Sequence, residues 1–305
     1  MNDFTGIQIG DVSRPLIYAN PSEETIFADL KARMIAINPA YEAALSLESS
    51  ELSIAFQTVA YRLSVHEKDC NEGVLQQLLP FATGSNLDWL GEIAGGIKRH
   101  VIDEGDPDAQ PPVAPTMEAD KDYRHRIQLA PEGLSTAGPK GAYIYHALRA
   151  DPRVKDAYSY DDADGKVIVP ILSHEGNGIA SADLIAKVTA ALSGDFMRPS
   201  NDDPQVVAAE IPNYSIDATV YFYAGPDRAL AFAEVQKRVR EFVINRHRLG
   251  DDVSLSGIYA ALHIPEVVSR VVLRSPVAEL LVDKTQAAYC DPDAAITLID
   301  GGVDD

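Results

Sequence analysis

Cysteine is scarce in this chain. Among 305 residues only Cys70 and Cys290 occur, far apart in sequence. Two thiols at that spacing exclude a disulfide framework and suit a reducing compartment. Long apolar runs are missing too: no stretch approaches the ~18 residues that a membrane-crossing helix needs. Met1 to Gly10 carry neither a basic segment nor an apolar core, so no secretory leader is expected. Cations are outnumbered, with 26 Lys and Arg against 46 Asp and Glu, a net charge of −20. A surface this acidic repels nucleic-acid phosphates and anionic lipid. The best candidate for a basic stripe is Arg246-His247-Arg248, and cations at a helix C-terminus are ordinary because that end is partially negative. With 46% hydrophobic residues the chain can still build a core without metal or cross-link.

Catalytic signatures are equally sparse. No Gly-x-Ser-x-Gly elbow, no Gly-x4-Gly-Lys-Ser/Thr phosphate loop and no His-Glu-x-x-His pair is present. The histidines 66, 100, 125, 146, 174, 247 and 263 are scattered, with none three or four residues from another. Neither cysteine shows a diagnostic His or Asn context in the local sequence. Tyr160-Asp161-Asp162-Ala163-Asp164-Gly165 resembles part of a calcium loop, yet Tyr160 and Ile171 stand where carboxylates are required. A hairpin turning at Asp164-Gly165 explains it instead. Gly176-Asn177-Gly178 leads into a helix at Ser181, the one place where an anion or nucleotide would find backbone donors. That loop carries the alternative reading of an enzyme or adaptor with a nucleotide or metal site. No catalytic residue, cofactor or metal ligand is assigned.

Periodicity predicts a helical first third. Ser22 caps a helix whose Ile26, Leu30, Met34 and Ile37 share a face, and Asn38-Pro39 stops it. A longer helix over 51–79 carries an apolar stripe of Leu52, Phe56, Val59 and Leu63, then Leu75 and Leu78. One short neighbour cannot cover a stripe of that length, so a bundle with other chains is expected. The four residues Leu52, Phe56, Val59 and Leu63 are the candidate protein-interface site. A third helix over 87–94 follows. Asp103 to Pro115, with Pro107, Pro111, Pro112 and Pro115 and four acids, reads as a linker or a surface excursion.

Helices and strands then mix. Helices are expected over 117–129, from Gly138-Pro139 to Ala150, from Ser181, from Pro226 to His247, and over 256–262. Strands are expected over 153–160, 166–173, 205–210, 214–223, 267–273 and 295–299, with a frayed tail from Asp300. Gly141-Ala-Tyr143 before Pro152 and Val154 is echoed by Gly257-Ile-Tyr259 before Pro265 and Val267. The fold class is therefore α+β: an N-terminal helical region and two small α+β units of similar plan. The expected divisions are 1–102 for the helical region, 103–116 for the Pro-rich linker, 117–212 for the middle unit and 213–305 for the C-terminal unit.

Longer strings are more specific. Thr83-Gly-Ser-Asn-Leu-Asp-Trp-Leu-Gly91, Met117-Glu-Ala-Asp120 with Tyr123-Arg-His-Arg126, and Pro131-Glu-Gly-Leu-Ser-Thr-Ala-Gly138 resemble the baseplate J-like protein family. So do Asp151-Pro-Arg-Val154, His247-Arg-Leu-Gly250, Ser256-Gly-Ile-Tyr-Ala-Ala-Leu-His263 and Thr285-Gln-Ala-Ala-Tyr-Cys290. The likeness runs in one order over roughly residues 20 to 300. It implies a non-enzymatic wedge subunit of a contractile-tail baseplate, in a phage or a bacteriocin-like particle. Two copies would join one partner wedge protein through helices, and six such heterotrimers would ring the hub and spike and rearrange on contraction. Inner baseplate and sheath-initiating proteins are implied as further partners. Assembly would take place in the host bacterial cytoplasm, with no nucleic acid bound and no membrane insertion.

Overall fold

The computed structural model describes residues 12–19, 22–135, 139–162, 166–194, 203–225 and 227–304. Backbone contacts divide the chain into two compact units, Gln8–Lys98 and Arg99–Asp305. The fold is mixed α+β, with a helical N-terminal region followed by small sheets and further helices.

The first unit is helical. Helix α1 (Glu23–Ile37) starts at Ser22, whose hydroxyl accepts from Thr25 N–H, with Glu23 and Glu24 in the first turn. Asn38 ends it and caps the 3-10 turn Pro39–Tyr41, which runs into the short α2 (Glu42–Leu45). Helix α3 (Glu51–Leu75) begins at Ser50, whose side chain accepts from Ser53 N–H. It ends four residues before the expected Leu79, where backbone turns take over. Helix α4 (Gly84–Ile93) starts earlier than the expected Leu87, on Gly84 at φ +52°, and runs out at Gly95 and Gly96, both at positive φ.

The second unit opens with a two-stranded ribbon, β1 (Val101–Asp103) paired antiparallel with β2 (Thr116–Met117). At its base Glu118 N–H bonds His100 O, and Glu118 Oε2 accepts His100 N–H at 3.1 Å. The ends of the proline-rich segment therefore meet. Glu118 and Arg126 form a buried pair, with contacts of 2.8 and 2.5 Å between the two forks. Helix α5 (Asp120–Leu129) begins three residues after the expected Met117, which lies in β2.

The two α+β modules share one spatial plan and differ in chain order. In the middle module, α6 (Lys140–Ala150) leads to β3 (Val154–Ala157), β4 (Tyr160–Asp161) and β5 (Val167–Ser173). Then come α7 (Ala182–Leu192) and β6 (Gln205–Ala208). Strand β5 is central, antiparallel to β3 and β4 and parallel to β6. In the C-terminal module the central strand comes first: β7 (Ile216–Phe222), α8 (Arg228–Arg246), α9 (Leu255–Leu262), β8 (Val268–Ser275) and β9 (Ile296–Val303). Strand β7 is antiparallel to β8 and parallel to β9. The helix-strand pair α6–β3 thus precedes its central strand, whereas the matching α9–β8 pair is placed between α8 and β9. This explains why the sequence repeat runs out of order.

Each module has its own core. Ala142, Ala147, Val169, Ile171, Leu184, Val188 and Leu192 are fully buried in the middle one. In the C-terminal one Ile216, Ala218, Val220 and Phe222 pack with Val235, Val239, Ile258 and Leu262. The alternation expected along 214–223 is present. The tail is not frayed: Asp300 to Val303 belong to β9, Asp304 N–H bonds Phe222 O, and the Asp304 carboxylate pairs with Arg270. The helix openings expected at Gly138 and Pro226, and the turn at Asp164-Gly165, lie outside the described residues.

A polar seam joins the two modules. Asp156, only 4% exposed, accepts Leu249 N–H at 3.1 Å. Arg248 pairs with Asp122 at 2.8 Å, and Lys121 Nζ donates to Asn245 at 2.7 Å. Lys155 Nζ lies 3.1 Å from Nδ1 of buried His247. A charged ammonium can only donate there, which requires an unprotonated Nδ1. Burial, and then the Lys155 charge, push the His247 imidazole down to about 4 from its ordinary 6.5.

Two outcomes follow from these contacts. As pH falls from 6.5 towards 4 the unfolded chain gains a proton at residue 247 that the folded chain refuses. Stability should therefore drop through that window, by roughly 1–3 kcal/mol from this group, and the drop should end below the folded value. Urea midpoints of His247→Gln against the parent across the window will show a shallower slope in the variant. Separately, Arg126→Met leaves the Glu118 carboxylate buried without its partner and should cost about 3–5 kcal/mol by the same measurement. The double change with Glu118→Gln should recover most of that loss.

Candidate functional site

The residues singled out as an interface lie together on α3, at spacings of four, three and four. Leu52 and Phe56 are half-buried, while Val59 and Leu63 are 45% and 40% exposed. The buried face of this helix is a different one, formed by Ser53, Ala60, Ser64, Asn71 and Leu75. Small and polar residues there let neighbouring backbone approach closely. Asn71 shows this: its Oδ1 accepts Ile17 N–H and Tyr18 N–H, and its Nδ2 donates to Tyr18 O. Helix α1 packs on α3 yet leaves the apolar stripe partly open, and Ile54 and Tyr61 are also about half exposed. Exposed apolar surface on this scale is a cost to a lone chain and a resource for an assembling one.

Cys70 has a histidine context after all. His66 sits one helical turn earlier, and its Nε2 lies 3.7 Å from Cys70 Sγ. An i,i+4 spacing brings side chains together on a helix, a signal open to inspection in the sequence. Cys290 is different: burial pushes its thiol up to about 11, as suits a small core residue.

The Gly176–Ser181 loop has internal work for its donors. Gly178 N–H bonds Glu175 O, Ile179 N–H reaches Asn177 Oδ1, and the Ser181 hydroxyl caps α7 through Leu184 N–H. Gly176 and Gly178 stand at φ +58° and +98°. A Cβ on Gly178 would come within 2.6 Å of Leu172 and 2.8 Å of the His247 ring. The second glycine is there because His247 packs against it. In the calcium-like segment Tyr160 and Asp161 form β4, and Lys166 N–H bonds the Asp162 carboxylate. Among the described residues no three His, Cys, Asp or Glu side chains converge as a metal site would require.

The basic run is engaged internally. Arg246 pairs with Asp251, Arg248 with Asp122, and His247 faces Lys155. His125 and His174 both lie near the charges of Asp122 and Arg248, and burial lowers the proton affinity of both. Local patterns report nothing of this gathering, because its members come from segments far apart in sequence. Among the described residues no helix is long and apolar enough to cross a membrane.

Comparison with known proteins decides the family. Residues 135–208 match the family model of the baseplate J-like central domain, and residues 48–106 that of the baseplate J-like N-terminal domain. Baseplate protein J of Escherichia phage P2 is 38% identical over 304 residues, covering 98% of this chain and 99% of its own length. The chain belongs to the baseplate J-like family. It is a baseplate protein of a phage or phage-tail-like particle. The N-terminal match contains the whole of α3, and the central match runs from just before α6 to the end of β6. Among solved structures, the six-fold symmetrised cryo-EM baseplate of the anti-feeding prophage aligns with a TM-score of 0.37 and 14% identity. That alignment covers 59% of this chain and 44% of the other, too loose a likeness to extend the reading.

With Gly178, Ile179 and the α7 cap engaged and no convergent ligands among the described residues, ATP, GTP and Ca²⁺ should each leave the melting temperature of the full chain unchanged within error. A saturable upward shift with any of them would reverse this reading.

Proposed function

We propose that this baseplate J-like chain is a wedge subunit with no catalytic role and no cofactor. Two copies join one partner wedge protein through their N-terminal helices. Six heterotrimers then form a ring around hub and spike, assembled in the bacterial cytoplasm, and the ring rearranges when the sheath contracts. In this division of labour 1–102 supplies the helical joint and 103–116 the connecting segment. The modules over 117–212 and 213–305 link neighbouring wedges. Inner baseplate and sheath-initiating proteins complete the set of partners.

The open stripe of Leu52, Phe56, Val59 and Leu63 carries this reading. Its spacing is that of a helix seam, and the helix buries a different face within its own chain. The polar seam between the modules supports their acting as one piece.

Coexpression of the full chain with the partner wedge protein, followed by native mass spectrometry, tests the proposal. The expected product holds two copies of this chain and one of the partner. Val59→Glu with Leu63→Glu should weaken that complex by roughly 30-fold or more, since central interface anchors contribute at least ~2 kcal/mol. Both side chains are already substantially exposed, so the melting temperature of the isolated chain should change little. A chain that stays monomeric beside every tail protein defeats the proposal.

A further inference from the structure

The stripe on α3 does not stop at Leu63. Continuing the same alternation of three and four residues from Leu52, Phe56, Val59 and Leu63 leads to His66 and then Cys70. The next position is Gly73, which has no side chain, and the helix ends at Leu75. Four apolar layers are thus followed by a chelating pair at the closing end of one seam.

The geometry of that pair is informative. A tetrahedral zinc ion with Zn–S of about 2.3 Å and Zn–N of about 2.0–2.1 Å holds its sulfur and nitrogen ligands about 3.6 Å apart. His66 Nε2 and Cys70 Sγ lie 3.7 Å apart. One chain offers only this half of a ligand set, and a closed structural site needs four ligands.

We infer that α3 pairs in parallel with α3 of a second copy, and that His66 and Cys70 of both copies together bind one zinc-like divalent cation. This rests on the two-copy reading proposed above. Orientation follows from the layers. In parallel pairing Leu52, Phe56, Val59 and Leu63 meet their own equivalents, and the His-Cys layers meet each other. In antiparallel pairing the imidazole and thiol of one copy would be buried against Leu52 and Phe56 of the other, leaving polar groups unsatisfied. A polar layer within an apolar seam is a known means of fixing register. The flanks agree: a parallel seam brings Arg62 of one copy toward Glu67 of the other, five residues further along, with opposite charges facing. Thiolate and imidazole together select a soft or borderline cation over Mg²⁺ or Ca²⁺.

The test uses the full chain, reduced and freed of metal, alone and in complex with the partner wedge protein. Zn²⁺ and Co²⁺ are the probes. Native mass spectrometry should show one metal ion per two copies. The Co²⁺ form should show the intense visible absorption of a tetrahedral site and a thiolate-to-cobalt charge-transfer band. Cys70→Ser should abolish that charge-transfer band, and Cys70→Ser and His66→Ala should each abolish stoichiometric uptake. A chelator should weaken self-association of the parent about tenfold or more, with little effect on either variant. Copies that pair but take up no metal, or that pair with one ion held by each chain separately, overturn the shared site and leave the pairing intact. A chain that pairs neither alone nor with its partner overturns the pairing, and the shared site with it.

Discussion

A helix with two faces that need covering, in a chain able to cover only one, is the constraint on which the first unit depends. Helix α3 presents Ser53, Ala60, Ser64 and Asn71 to its own chain and keeps the bulkier Leu52, Phe56, Val59 and Leu63 at or near the surface. The usual arrangement is the reverse, because burying large apolar side chains returns more free energy than burying serine. Close backbone approach compensates in part: the Asn71 amide bonds the backbone of the bend at Ile17 and Tyr18. The inward face of α3 is therefore mostly small, Leu45, Leu75 and Leu87 supply larger buried side chains of the unit, and the bulkier stripe stays available. That is the economy expected of a component made to assemble, and it agrees with membership of a baseplate family.

The second unit obeys a different rule. Its modules have separate apolar cores, yet the contacts between them are charged and hydrogen-bonded. A buried polar junction adds little net stability, because desolvation offsets much of what pairing supplies. What it does supply is a single well-defined fit. Across the junction Asp156 accepts the Leu249 amide, Gly178 leaves room for one ring, and Lys155 lies against Nδ1 of that ring.

Much of this was legible from local chemistry. Serine caps at Ser22 and Ser181, the apolar periodicity of α1 and α7, and the alternation along β7 all correspond to elements in the structure. The interface candidates could be named because a stripe at helical spacing is a one-dimensional pattern. Long-range pairing was not legible. The ribbon of β1 and β2 was hidden by four prolines, which read as an extended segment until its ends are seen bonded through His100 and Glu118. The tail read as frayed because Asp300, Gly301 and Gly302 have weak strand preference, yet β7 offers an edge for them to pair with. The seam was invisible for the same reason: Asp122 and Arg248 meet across 126 residues, and no local pattern reports such a contact.

The permuted order of the C-terminal module affects how the chain is made. Its central strand leaves the ribosome first, while its antiparallel neighbour and its parallel neighbour are translated only after α8 and α9. Until they arrive, β7 has two open edges and an alternating apolar face, the features that recruit unintended strands from other molecules. Helix α8 is the first element able to shelter it. During synthesis, then, the hazard falls on one seven-residue strand, and the speed at which the segment from α8 to β9 emerges determines how long it lasts.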